Sequence, residues 1–418
     1  MKNLKSIYIS IIAMIVLAGS SLPAFSQGTE LSPYSKYGYG MLTDGATSTQ
    51  HAMGGVGYAM KGGRQINVMN PASYASIDSL TFLWDIGVTM ANYWATENNS
   101  HANKTGGGLE YVTMQFPIGK RFGASVGLMP YSSVGYSFGA EVANGSVSSS
   151  GTGGINQLYA GFSANIFKGF NLGVNVGYLW GTVANDSYAT ISTGGLSLFE
   201  HTMRIEDYSL NFGAQYSFNV NKNNEITLGV TFAPEKGLHG TETGVYYDLN
   251  SDAKPDTASN SKMSGNYSTP MSIGAGIAYT FKKRLTVELD YTYQPWKKAK
   301  FNSADNFEQT VLEDRWKMAL GAQYVHNPRG SYVNRIAYRA GVYYGDDYIS
   351  VLGNKVKNVG VSLGLGLPAP GGSKTMINIG LEYKRRNTTP VGLVKEDYLT
   401  ITLGVNFNEM WFWKRRFE

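Results

Sequence analysis

His is the side chain best suited to move protons or bind a metal near neutral pH, so the five histidines are the first place to look for chemistry. They stand at His51, His101, His201, His239 and His326. They are scattered, with no Gly-x-Ser-x-Gly elbow and no His-Glu-x-x-His beside any of them. That spacing assembles no nucleophile with a neighbouring base, and the chain reads as a non-enzyme. The absence of cysteine excludes thiolate metal sites and disulfide staples. One acidic cluster has metal-like spacing: DLNSDAKPD sets Asp248, Asn250, Asp252 and Asp256 in the manner of a calcium loop. Ala253 and Ser259 occupy the positions where such a loop needs its glycine and its closing Glu, so a solvated loop is the better reading and no cofactor is expected.

With little chemistry in its side chains, the chain must be read through its elements. It opens with MKNLK, an apolar run from Ile7 to Ala18 and then SSLPAFSQ, the order of a secretory signal. Cleavage after Ser26 would start the mature chain at Gln27. A retained anchor is the alternative, but the run is short of the roughly 20 residues a spanning helix needs. No later run reaches that length, which leaves a water-soluble fold or a closed barrel. Gly 51, Tyr 29 and 13% aromatics, at a mean hydropathy of -0.20, suit strands with one greasy and one polar face. The formal charge of +5 is small for this length and gives no sign of a nucleic-acid partner.

The last strand shows the pattern most clearly. In YLTITLGVNF, Leu399, Ile401, Leu403, Val405 and Phe407 share one face, and Tyr398, Thr400, Thr402, Gly404 and Asn406 share the other. An apolar face turned to lipid and a polar face turned to a lumen are what a membrane barrel requires. The same template fits fourteen segments from Leu80–Glu97 to Asp397–Phe407. The expected fold is therefore all-β, a transmembrane antiparallel β-barrel of about 14 strands. Connections that alternate between long and short support the count. NNSHANKTGGG, ANGSVSSSGTGG and the stretch from Asp186 to Glu200 read as long loops, while PIGKR and FKG read as tight turns. The segment Glu225–Tyr247 carries Pro234 and reads either as two strands or as one kinked strand; only the second keeps an even count.

Several landmarks, in order along the chain, resemble the FadL-type outer-membrane transport proteins, with the PorV-type barrels as relatives. MGGVGYAMKGGRQINVMNPAS carries the Gly-rich approach to an Asn-Pro-Ala turn at Asn70, Pro71 and Ala72, and GLMPYSSVGYSF and YSTPMSIGAGIAYTF are similar to family strands. The resemblance implies a plug inside the lumen ahead of the first strand, in which Gly54 and Gly55 would permit close packing. The alternative for this segment is a linker ending in a plain turn. The implied layout is a signal at 1–26, a plug at 27–79, a barrel at 80–407 and a tail at 408–418. Proline lacks the ladder donor, so Pro130 should open or kink the wall. The resemblance makes that a lateral window near Met129, Pro130, Tyr131 and Tyr136, and a harmless bulge is the alternative.

In the tail, Trp411 and Trp413 with Arg415 and Arg416 suit either a membrane interface or a protein contact. The location implied is the outer membrane of a Gram-negative bacterium. Partners would be membrane lipid, an apolar small-molecule ligand and, through the closing aromatic Phe407, the barrel assembly machinery that inserts such chains. The function the resemblance implies is passive uptake of small hydrophobic molecules such as long-chain fatty acids through a plugged lumen and a lateral opening; the alternative is a non-transport barrel acting as a partner subunit of a protein secretion or outer-membrane assembly complex.

Overall fold

The computed structural model describes residues 31–61, 63–191, 195–249, 255–264, 266–301, 310–370 and 374–410. The signal segment and the tail residues Trp411, Trp413, Arg415 and Arg416 lie outside the described residues. So do Asn250 and Asp252.

Fourteen antiparallel strands close into a barrel. In chain order they are β1 (Thr81–Glu97), β2 (Ser100–Ile118), β3 (Phe122–Val142), β4 (Gly145–Phe167), β5 (Phe170–Ile191) and β6 (Gly195–Asn221). Strand β7 runs in three pieces, Asn224–Ala233, Lys236–Leu238 and Gly240–Leu249, and β8 likewise in Pro255–Ser264, Tyr267–Thr269 and Ser272–Phe281. There follow β9 (Leu285–Gln294), β10 (Val311–Leu312 and Arg315–Val325), β11 (Ala337–Val351), β12 (Asn354–Pro368), β13 (Met376–Thr389) and β14 (Lys395–Met410). The wall closes where β1 pairs β14 from Thr81↔Met410 to Thr96↔Lys395. Strand β14 thus runs past Phe407 to Met410.

The periodicity of β14 is the periodicity of the wall. Ile401 is exposed outward, while Thr402 and Asn406 are buried inward. Leu158 and Phe162, Leu228 and Val230, and Val361 and Leu363 repeat the outward pattern around the circumference. A continuous apolar belt of this extent is unstable in water and stable in hydrocarbon. Among the described residues no helix is long and apolar enough to cross a membrane, so the crossing is made by strands. The three pieces of β7 belong to one strand, because they pair in succession with β8, the first and third pairing with β6 as well.

The three stretches expected as long loops differ from that expectation. NNSHANKTGGG and ANGSVSSSGTGG are mostly ladder, turning tightly at Asn98–Asn99 and Ala143–Asn144, and β5 continues through Asp186 to Ile191. Above the membrane both faces of a strand meet water, so nothing enforces alternation and the ladder reads as polar loop. The barrel is consequently lopsided. Strands β3 to β6 have 21 to 27 residues, against 10 for β9, whereas about 9–11 residues suffice to span a bilayer.

Inside the wall the segment from Ser32 to Ile77 forms a plug. It holds a 3-10 turn at Pro33–Lys36, a two-residue strand at Met41–Leu42, the short helix α1 (Ser48–His51) and a second 3-10 turn at Pro71–Ser76. A fourteen-stranded lumen is too wide for wall side chains to fill, and the plug supplies the missing core. Tyr39, Met41, Val134, Ile155, Trp296 and Tyr348 pack in one cluster, and Ile66, Val68, Tyr74, Tyr111 and Tyr159 in another.

Candidate functional site

The Asn-Pro-Ala turn is built by local chemistry. Asn70 caps the 3-10 turn by accepting from the Ala72 backbone N–H at 3.0 Å, with Pro71 in the first position, where no donor is needed. Its other end donates to the carbonyls of Tyr58 at 2.7 Å and of Ala214, in β6, at 3.2 Å. Plug meets wall here because the wall is bare. A Cβ on Gly213 would stand 2.1 Å from Asn70 Oδ1, and one on Gly173 would stand 2.4 Å from the Pro71 carbonyl carbon. Gly54 and Gly55 follow α1 with φ of 75° and 80°, the left-handed backbone that ends a helix at low cost only for glycine. Gly54 N–H also donates to Ser362 Oγ at 2.8 Å.

Carboxylates on the inward face of β9 hold the plug backbone. Asp290 accepts from the N–H groups of Gly57 at 2.6 Å and Tyr58 at 2.9 Å, and Glu288 accepts from Ala59 at 2.7 Å. Two further ion clusters pin the plug side chains. Asp44 meets Arg315 and Lys317 of β10, each at 2.6 Å. His51 meets Glu110 of β2 at 2.8 Å, with Glu382 of β13 at 3.9 Å. Burial alone would raise the Asp44 carboxyl, but the Lys317 and Arg315 charges outweigh it and hold it well below the usual carboxylate range. Burial opposes a charged His51, yet Glu110 and Glu382 win and raise its pKa to about 9. Where the plug begins, Ser32 donates to Glu396 of β14 at 2.6 Å, and Arg386 of β13 meets the same carboxylate at 2.9 Å.

The ladder is interrupted near Pro130. The ladder between β2 and β3 ends at Val112↔Leu128, and the β3–β4 register shifts between Pro130 and Ser132. Beyond it, β3 turns its edge to the plug: Ser133 and Ser132 pair with Met41 and Leu42, and Thr43 Oγ1 donates to the Pro130 carbonyl at 2.6 Å. Met129, Pro130 and Tyr131 line a cavity of about 320 Å³ that also reaches Tyr159, Leu179 and Trp296 and, on its other side, the charged groups of Asp44, Asp290, Arg315 and Lys317. A neighbouring cavity of about 200 Å³ is lined by the charged groups of Asp44, His51, Glu110, Lys317, Glu382 and Arg386. Tyr136 stands apart from both and donates to Asn185 Oδ1 at 2.7 Å.

The backbones of Asp248 and Asp256 pair in register across the β7–β8 ladder. Among the described residues no group of three or more His, Asp or Glu side chains could hold a metal. The plug-holding charges went unnoticed in the sequence, although a signal was there. Glu288 with Asp290, and Arg315 with Lys317, sit two apart on faces where an empty barrel would carry neutral polar residues.

The BamG family pattern matches residues 4–418. The chain belongs to the BamG family. No curated protein matches it. Solved structures share the fold at low identity, as the FadL-type resemblance implied. The Pseudomonas aeruginosa FadL homologue has a TM-score of 0.63 at 13% identity, over 88% of this chain and 99% of that one. The P. putida toluene transporter TodX gives 0.62 at 13%, over 89% and 100%. The CymD monoaromatic hydrocarbon channel gives 0.59 at 14%, over 87% and 98%. This BamG member is thus a FadL-like barrel with its plug bonded to the wall by buried carboxylates and half-buried ion pairs.

Proposed function

We propose that this chain is a non-enzymatic outer-membrane barrel that acts as a fixed subunit of an outer-membrane assembly complex, and that its plug is a strut rather than a gate. The observation that carries this reading is the charged anchoring of the plug from several sides at once, by Asp290 and Glu288, by Arg315 and Lys317 on Asp44, and by Glu110 on His51. Moving the plug would break these contacts together, and each backbone donor left unpaired at the buried Asp290 and Glu288 carboxylates costs about 1–3 kcal/mol. A gate that opens at every passage is poorly served by that arrangement. The name BamG points the same way, toward barrel assembly. The tall side of the wall, β3 to β6, offers a surface for a partner, and Trp411, Trp413, Arg415 and Arg416 are a second candidate contact. In this reading residues 1–26 are removed on export, and the mature chain resides in the outer membrane of a Gram-negative bacterium.

A specific observation favours a second reading. The cavity beside Met129, Pro130 and Tyr131 lies where β3 leaves β2, and would suit lateral passage of a small hydrophobic molecule such as a long-chain fatty acid without full plug release. Gentle detergent extraction followed by mass spectrometry separates the two. The assembly reading expects stoichiometric protein partners. A lone barrel carrying apolar small molecules would overturn it in favour of uptake.

A further inference from the structure

The wall has a second interruption, on the far side of the same cavity. Strand β6 pairs with β7 from Asn221↔Asn224 to Phe212↔Phe232, and again from Ile205↔Gly240 to Leu196↔Leu249. Between these ladders residues 206–211 of β6 face residues 233–239 of β7, bridged by one backbone bond from Glu206 N–H to the His239 carbonyl at 3.1 Å. The cause is in the sequence. Pro234 in β7 and Pro270 in β8 fall at one level, between Ala233↔Ser272 and Lys236↔Thr269, and each removes a ladder donor. The freed segment bows inward, so that Leu238 packs in the lumen cluster with Tyr267 and Trp296.

The cavity of about 320 Å³ is bordered here by Tyr208, Ser209, Leu210 and Asn211 in succession. These four residues lie where β6 has no ladder partner in β7, so the cavity reaches the unpaired edge of the strand. Ala233, Pro234 and Lys236 form the other lip. The level is informative. Below the gap, Phe212, Tyr216, Phe218 and Val220 are exposed outward; above it, Arg204 and Glu206 form an exposed ion pair. The gap therefore sits at the upper margin of the apolar belt, where hydrocarbon gives way to headgroups. Asp207 closes its top, accepting from Tyr208 N–H at 2.7 Å, Lys236 Nζ at 2.5 Å and His239 N–H at 2.8 Å.

We propose that this seam between β6 and β7 is a binding site for the acyl chain of a membrane lipid, which enters between Leu210 and Pro234 and lies against Leu179 and Trp296. The site differs from the interruption near Pro130 and exists whichever function the barrel serves. The lack of cysteine makes the test clean. Single variants Ser209→Cys, inward at the seam, Thr402→Cys, inward behind the unbroken β13–β14–β1 ladders, and Val361→Cys, outward, are labelled with one fluorophore. They are then placed in vesicles of phospholipid with brominated acyl chains, which quench on contact. Ser209→Cys should lose emission to the same extent as Val361→Cys, while Thr402→Cys keeps its emission; Asn211→Cys replaces Ser209→Cys if the latter misfolds. Equal, weak quenching at Ser209 and Thr402 would mean a sealed wall and overturn the proposal. Quenching at Ser209 by an added bromoalkane but not by brominated lipid would assign the site to a free apolar molecule and overturn the lipid assignment.

Discussion

Asp290→Ala should free the plug while leaving the wall intact. The carboxylate accepts from two buried backbone donors, Gly57 N–H at 2.6 Å and Tyr58 N–H at 2.9 Å. Each buried donor left without a partner costs about 1–3 kcal/mol, which sets the loss at roughly 2–6 kcal/mol. One effect works the other way. Glu288 carries a second carboxyl two residues away on the same face and still holds Ala59, so the lower half of the range is expected. Hydrogen exchange reads the outcome directly. At 1.4 kcal/mol per tenfold, the segment around Gly57 and Tyr58 should lose protection by about 30-fold to 10³-fold, while β9 and its neighbours, whose ladder is untouched, should exchange as before. Asp290→Asn, which keeps one acceptor, should fall between. Unchanged protection at Gly57 and Tyr58 would refute the claim that β9 carboxylates hold the plug. Equal loss in plug and wall would refute their separability.

Other perturbations follow from the same contacts. Charged His51 is favoured in the folded state, where its pKa is raised to about 9. Its contribution to plug protection is full below the unfolded value of about 6.5 and disappears as pH rises through about 9. Exchange followed across that window should show loosening around α1, and His51→Gln should remove the dependence. Gly229→Ala places a Cβ 1.9 Å from the Tyr58 carbonyl oxygen, and overpacking of this kind costs about 1–3 kcal/mol. Gly237→Ala, which meets nothing within 4 Å, should leave the melting temperature unchanged, and equal melting of both variants would contradict the fit of plug to wall.

Much of the wall was legible because lipid enforces a rule. Wherever hydrocarbon lies on one side and lumen on the other, as along Leu399, Ile401 and Leu403, the residues must alternate. The upper ladders escaped because consecutive residues such as Ser146, Val147 and Ser148 are exposed on either face, leaving no constraint to read. Pro130 and Pro234 were readable for the opposite reason: a missing donor marks a break in any ladder. What the breaks open onto depends on neighbouring strands, and so lay beyond periodicity. The plug could be located by its Asn-Pro-Ala turn, but its anchors could not. Asp44 finds Arg315 and His51 finds Glu110 only after the barrel has closed, and no spacing along the chain records those meetings.

The central claim is that this barrel serves the assembly of other barrels. Depleting it from its source cells and following the folding of unrelated outer-membrane barrels by their heat-modifiable migration tests that most directly. The account predicts that newly made barrels accumulate unfolded while uptake of hydrophobic compounds through barrels already in place continues. Normal barrel folding, with uptake alone impaired, would contradict it.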